Sequence, residues 1–152
     1  MKLDKNLEQM LNDQMNHERY NETIYLACAA YFDSINLEGM SSYSRLHAAE
    51  ENTHFERFYD YINEKGGWVK IAEFKSISDD FVKTLAAEEL TSKKIRDVNN
   101  YAVSINDRRA CRFLNTFEDE QQEEEDLWTY NLSRAQLCEK DPAALIKFDE
   151  EM

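Results

Sequence analysis

Apolar residues return along this chain at steps of three, four and seven, the spacing that places side chains on one side of an α-helix. In the first long segment Leu11, Tyr25 and Phe32 share a face with Glu18. A second face carries His47, Glu51, His54, Phe58 and Tyr61, and a third Phe81, Leu85, Glu88, Ser92 and Ile95. The fourth carries Phe113, Phe117, Gln121, Glu124 and Trp128. Breaks fall at Leu37-Glu38-Gly39, at Gly66-Gly67 and at Asp141-Pro142, and a further one is required at Ile105-Asn106-Asp107, where no glycine or proline marks it. The pattern predicts helices over about 5–35, 40–65, 79–105 and 108–138, and a short fifth from near Pro142.

Local signals support these limits. Ser78-Asp79-Asp80 offers N-cap side chains and negative charge to the third helix, Asp141 followed by Pro142 fits an N-cap with proline at N1, and Gly66 fits the C′ position of the second helix. The stretch from Gly66 to Ile77 is long enough to run the length of a bundle and so reverse a simple up-down order. The expected fold is all-α: a four-helix bundle with a long crossover between its second and third helices and a short C-terminal helix. Residues 1–152 are expected to form a single domain.

Composition narrows the function. With only three glycines and one proline, most all-β folds are excluded. Acidic residues outnumber basic ones 31 to 18, a net charge of −13, which opposes nucleic acid and anionic membrane as partners and favours cations. No apolar run is long enough to span a membrane, and the N-terminal MKLDKNLEQM lacks the core of a signal peptide, so a cytoplasmic location is expected. Cys28, Cys111 and Cys138 share no C-x-x-C spacing, against a disulfide framework or zinc knuckle.

What distinguishes the four faces is that each carries a polar or acidic residue where an ordinary bundle would place leucine. Burying unpaired carboxylates costs several kcal/mol each, so Glu18, Glu51, Glu88 and Glu124 together call for a compensating cation. Carboxylates with an imidazole suit iron, manganese or zinc. Glu51-Asn52-Thr53-His54 is a Glu-x-x-His motif, and dimetal carboxylate bundles carry two of these plus one glutamate from each remaining helix. Three of those four parts are present; the fourth helix offers Gln121 to Glu124 instead.

At these residues the chain resembles the non-haem ferritins of bacteria. The segment from Leu11 to Tyr20, the stretch from His47 to His54 followed by Phe58 to Ile62, the run Glu120 to Glu125 and the tail Leu145 to Glu151 are each similar to the corresponding ferritin helix. The resemblance implies a ferroxidase and iron store that takes Fe(II) and dioxygen or peroxide and assembles as a 24-subunit cage. It implies one iron held by Glu18, Glu51 and His54, with Glu51 bridging to a second held with Glu88 and Glu124, beside Gln121 and a redox-active Tyr25. A third, more exposed iron position would use Glu50, Glu120, Glu123 and Glu124. Thr116 stands where many bacterial ferritins have an aromatic residue. Bacterioferritins would carry a Glu-x-x-His on the fourth helix and a methionine after the bridging glutamate for haem; Gln121 to Glu124 and Asn52 stand there instead, so no haem is expected. His47 is expected as a hydrogen-bonded core histidine in preference to a ligand. A di-iron peroxidase or oxidase without storage is the alternative, and a helical interaction protein the third reading.

Overall fold

Among the described residues five helices form where the apolar period predicts them: α1 (Lys5–Ser34), α2 (Glu38–Glu64), α3 (Lys83–Ser104), α4 (Arg108–Cys138) and α5 (Pro142–Glu151). The computed structural model describes residues 2–73 and 83–152, and of residues 83–87 the backbone alone. The expected cap at Ser78-Asp79-Asp80, the beginning of the third helix near 79 and the inward positions of Phe81 and Leu85 lie outside the described residues and side chains. No strand occurs among the described residues.

The helix ends have specific chemical causes. Asp4 accepts from the backbone N–H groups of Asn6 and Leu7, both at 3.0 Å, and Asp107 from those of Arg109 and Ala110 at 3.1 and 3.0 Å. Asp141 caps α5 in the same way, with Pro142 in the first turn, as the sequence predicts. At the C-terminal ends, Gly66 takes φ 70°, Asn36 φ 59° and Asn106 φ 58°. In each case the next N–H bonds back five residues: Gly67 to Ile62 O, Leu37 to Phe32 O and Asp107 to Ala102 O, at 2.9 to 3.0 Å. These are three Schellman closures, and in two of them asparagine replaces glycine in the left-handed position. The break at Asn106 therefore has a residue-level cause after all.

The second helix departs from expectation. Gly39 does not interrupt the chain but lies inside α2, whose N-cap, Leu37, supplies no side-chain bond. The cap comes instead from α5: Asp149 accepts from Gly39 N–H at 3.1 Å and Met40 N–H at 2.7 Å. A Cβ on Gly39 would stand 1.8 Å from the Asp149 carbonyl oxygen, so only glycine admits this approach.

Pairings along the helices give the topology. Asn21 of α1 donates to Thr91 of α3, and Tyr101 near the end of α3 donates to Asp4 at the start of α1, so α3 runs antiparallel to α1. Leu3 N–H donates to Lys65 O, which sets α2 antiparallel to α1 as well. The parallel α2 and α3 require the long crossover, and its first part is held in a specific way. Asn12 donates to Trp68 O and accepts from Lys70 N–H; Asn16, one turn on, donates to Lys70 O and accepts from Ala72 N–H, all at 2.7 to 3.0 Å. Two side-chain amides thus satisfy an extended backbone as a neighbouring strand would.

The core is divided. Leu7, Leu11, Met15, Phe58, Ile62, Ile95, Leu114 and Phe117 fill one end of the bundle, and Leu37, Met40 and Phe148 close the other under α5. Between them lies a buried polar layer: Glu18, His47, Glu51, His54, Glu88, Ser92 and Gln121.

Candidate metal centre

Each polar residue of that layer stands one or two turns from apolar residues that fix its helix, so the acids are held in place by the packing on either side. Glu18 on α1 is fully buried and Glu51 on α2 nearly so. Glu18 Oε1 accepts from Gln14 Nε2 at 2.6 Å, whereas Glu18 Oε2 is buried with no hydrogen-bond partner, 3.9 Å from His54 Nδ1. Glu51 Oε2 lies 3.4 Å from the same nitrogen, an i, i+3 pairing on α2. Ligand atoms of Glu18, Glu51 and His54 all fall within 4.8 Å of one another.

His54 Nε2 points the other way, to Glu120 Oε2 at 2.9 Å. Arg57 clamps that carboxylate through both oxygens at 2.9 Å and donates to Thr116 at 2.6 Å, its guanidinium 3.9 Å from the Phe117 ring centroid. Thr116, where the family resemblance leads one to expect an aromatic ring, here anchors an arginine.

Further along the layer, Glu88 on α3 accepts on both oxygens: from the Tyr25 hydroxyl at 2.5 Å and from Gln121 Nε2 at 2.9 Å. Trp128 Nε1 donates in turn to the Tyr25 oxygen at 2.5 Å. His47 Nδ1 stands 3.2 Å from Glu124 Oε2 and 3.3 Å from Glu50 Oε2, a second group with three ligand-type atoms in reach of one another.

The structure therefore brings together Glu18, Glu51 and His54 as the sequence suggests, and surrounds Glu88 with Tyr25 and Gln121. It gathers the remaining acids differently. Glu50 and Glu124 converge on His47, Glu120 joins His54 and Arg57, and Glu123 is exposed, outside both groups. His47 is buried and paired, as a core histidine should be, yet its partners are the two carboxylates. Sequence reasoning missed Arg57 and the indole of Trp128 as partners; the i, i+3 spacing of Arg57 from His54 is the one signal that places it on the same face.

Burial dominates the electrostatics. It raises the carboxyls of Glu18 and Glu88 above the usual range, Glu18 strongly and with the charge of Glu51 adding to the effect. Glu51 is pushed up to about 8, again by burial first, with Glu88, Glu124 and Glu50 contributing repulsion. Tyr25 is raised well above its ordinary value by burial and then by Glu88. For His47 burial opposes the charge, but the bond to Glu124 and the nearby carboxylates outweigh it and its value rises. The layer thus needs positive charge, as protons or as a cation. A divalent ion fits: Glu18 Oε2 lacks any donor, and oxygen ligands with imidazole are what Fe(II) accepts.

A pH dependence follows. Between the unfolded glutamate value of about 4.3 and the folded value near 8, the folded chain holds more protons at Glu51 than the unfolded chain does. Its stabilising contribution is present below that window and lost as pH rises through it. The raised values of Glu18 and His47 have the same sign. Metal-free protein is expected to lose on the order of a few kcal/mol of stability from pH 5 to 9. Thermal unfolding in the presence of chelator checks this, and added divalent cation should flatten the slope; a midpoint that climbs toward pH 9 without metal would contradict it.

A family model described as a ferritin-like domain matches residues 8–137, a span containing every residue of both groups. The chain belongs to the ferritin family. Curated ferritin relatives include a bacterial non-heme ferritin of Staphylococcus aureus strain USA300, 32% identical over 99% of this chain and 95% of its own length. Another, from Staphylococcus haemolyticus, is 34% identical with the same coverage. Among solved ferritin structures, an open pore ferritin from the hyperthermophilic archaeon Archaeoglobus fulgidus superposes with a TM-score of 0.95 at 29% identity, covering 99% of this chain and 97% of that one. A form of the same archaeon's ferritin engineered to be closed gives 0.94 at 30% identity. The resemblance carried by the Glu-x-x-His motif thus extends to the whole ferritin fold, α5 included. No helix among the described residues is long and apolar enough to cross a membrane.

Proposed function

We propose that the protein is a ferroxidase and iron store, a single domain over residues 1–152 that assembles in the cytoplasm as a 24-subunit cage. The observation that carries this is Glu18 Oε2, buried and without a donor, beside Glu51 and His54. A carboxylate oxygen so placed suits a cation that arrives, reacts and leaves. Fe(II) is the substrate and dioxygen or peroxide the electron acceptor, and haem has no part in the scheme.

One Fe(II) is assigned to Glu18, Glu51 and His54, and a second to Glu51, Glu88 and Glu124. Glu51 is assigned the bridging role because it lies against His54 and also feels the charges of Glu88 and Glu124. Binding displaces the protons that burial has placed on Glu18 and Glu51, so iron uptake releases protons. Arg57 holds Glu120 on His54 Nε2, which fixes the ring with Nδ1 toward the iron, the arrangement by which an outer carboxylate orients a ligand histidine. Tyr25, already a donor to Glu88, is assigned as the nearby redox-active phenol, and Gln121 steadies the other Glu88 oxygen. A third, more exposed iron position falls to Glu50 and Glu124, with Glu120 and Glu123 at neighbouring helical positions on α4.

In crystals soaked anaerobically with Fe(II), the paired site should show two anomalous peaks per subunit, one among Glu18, Glu51 and His54 and one at Glu88; no peak at Glu88 would overturn the paired site. Oxygen consumption on adding Fe(II) tests the oxidation. Size-exclusion chromatography tests storage, since a dimer would leave only a di-iron oxidase or peroxidase.

A further inference from the structure

Trp128 lies on the fourth apolar face, where its ring would serve as packing, yet its indole nitrogen is committed to the polar layer. That N–H is a donor only, so in the Trp128 to Tyr25 bond the phenol oxygen must accept. The single Tyr25 proton is then directed at Glu88 Oε1. Gln121, donating to Glu88 Oε2, completes a chain in which every donor has one sense: Trp128 to Tyr25, Tyr25 to Glu88, with Gln121 on the far oxygen. The rings of Trp128 and Tyr25 stack at 5.7 Å between centroids and 29° between planes, so the indole also fixes the plane in which the phenol lies. Among the described residues Trp128 is the one donor to the Tyr25 hydroxyl.

We propose that Trp128 is a positioning residue of the metal centre: through Tyr25 it holds the Glu88 carboxylate in the one orientation that serves the second iron position. This rests on the assignment of Glu88 to that position. Trp128 itself touches neither the iron nor the oxidant. It acts by denying the phenol a second orientation, because a Tyr25 oxygen without an indole donor is free to turn its proton away from Glu88. Outer partners of this kind typically change metal affinity about 10- to 100-fold.

Co(II) is the probe, since it follows Fe(II) into oxygen and imidazole sites and is read by calorimetry and visible absorbance without oxidation. The unaltered protein is expected to take up two Co(II) per subunit at the paired site. Trp128→Phe keeps a ring but removes the N–H, and should weaken the second Co(II) about 10-fold while leaving the first unchanged. Tyr25→Phe should do the same, and the double variant should bind no more weakly than Tyr25→Phe alone, because Trp128 acts through Tyr25. Tyr43→Phe, which alters a ring 6.4 Å from Trp128 but no member of the chain, should match the unaltered protein. Circular dichroism confirms that each variant is folded. Normal second-ion binding by Trp128→Phe, full addition of the two single penalties, or an equal loss in Tyr43→Phe would each overturn the proposal. The underlying assignment is tested apart by Glu88→Ala: if that variant keeps both Co(II) ions, Glu88 is no ligand and both conclusions fall. If it loses the second ion while Trp128→Phe does not, only the role of Trp128 is lost.

Discussion

Glu51→Ala should lose Fe(II) oxidation by about 100-fold or more in initial rate, because it removes the only carboxylate assigned to both iron positions. Loss of an outer partner costs about 10- to 100-fold in metal affinity or activity, and a shared ligand should exceed that range. Stopped-flow absorbance with two Fe(II) per subunit gives the rate, and anaerobic titration gives the stoichiometry. Retention of full oxidation at two irons per subunit would refute the bridging role. The same position makes an opposite prediction for stability. Glu51 is a buried acid pushed up to about 8, so above that pH the metal-free protein carries a poorly solvated charge there. Glu51→Gln, which keeps the shape and removes the charge, should be more stable than the parent at pH 9 without metal, while oxidising Fe(II) as poorly as the alanine variant. A site that loses function and gains stability in one substitution is under electrostatic strain in the metal-free state.

The second large effect is expected at Gly39→Ala. In an exposed helix interior this change would stabilise by up to about 1 kcal/mol, since alanine is the better helix former. Here the new methyl would fall 1.8 Å from the Asp149 carbonyl oxygen, and backbone is the least yielding of neighbours. To make room α5 must move, and Asp149 then loses its bonds to the Gly39 and Met40 N–H groups, which α2 has no side chain of its own to replace. The net change should be a loss of about 2 to 4 kcal/mol, from overpacking together with two abandoned charge-assisted bonds. Hydrogen exchange at the Gly39 and Met40 amides should accelerate, with early proteolysis within α5. Unchanged exchange, or a rise in stability, would show that the clamp is not what holds the last helix.

Much of this centre is visible in the sequence because helical periodicity is a rigid rule. Once Leu11, Tyr25 and Phe32 face inward, Glu18 must as well, and the same geometry brings Glu51 and His54 together. What the period does not carry is the pairing between helices. Glu120 and Glu124 sit one turn apart on α4, yet one meets His54 and Arg57 and the other His47, a division set by how α2 and α4 cross. Nor does sequence direction reveal that Gly39 belongs inside a helix, since the reason is a carboxylate 110 residues away. Asn36 and Asn106 illustrate a subtler limit. Both take the left-handed conformation that glycine usually supplies, and a search for glycine and proline passes over them.

The two asparagines that hold the crossover have a consequence for variation. Within this segment Asn12 and Asn16 address backbone alone, the carbonyls of residues 68 and 70 and the amides of 70 and 72, and Val69 packs on the core, so the path is set without reference to the outward side chains. Trp68 and Ile71, 73% and 52% exposed, contribute little to the interior of their own subunit. The segment is an interchangeable label on a fixed track: its outward residues can be rewritten while its route stays the same, whereas either asparagine, once lost, would release the route itself.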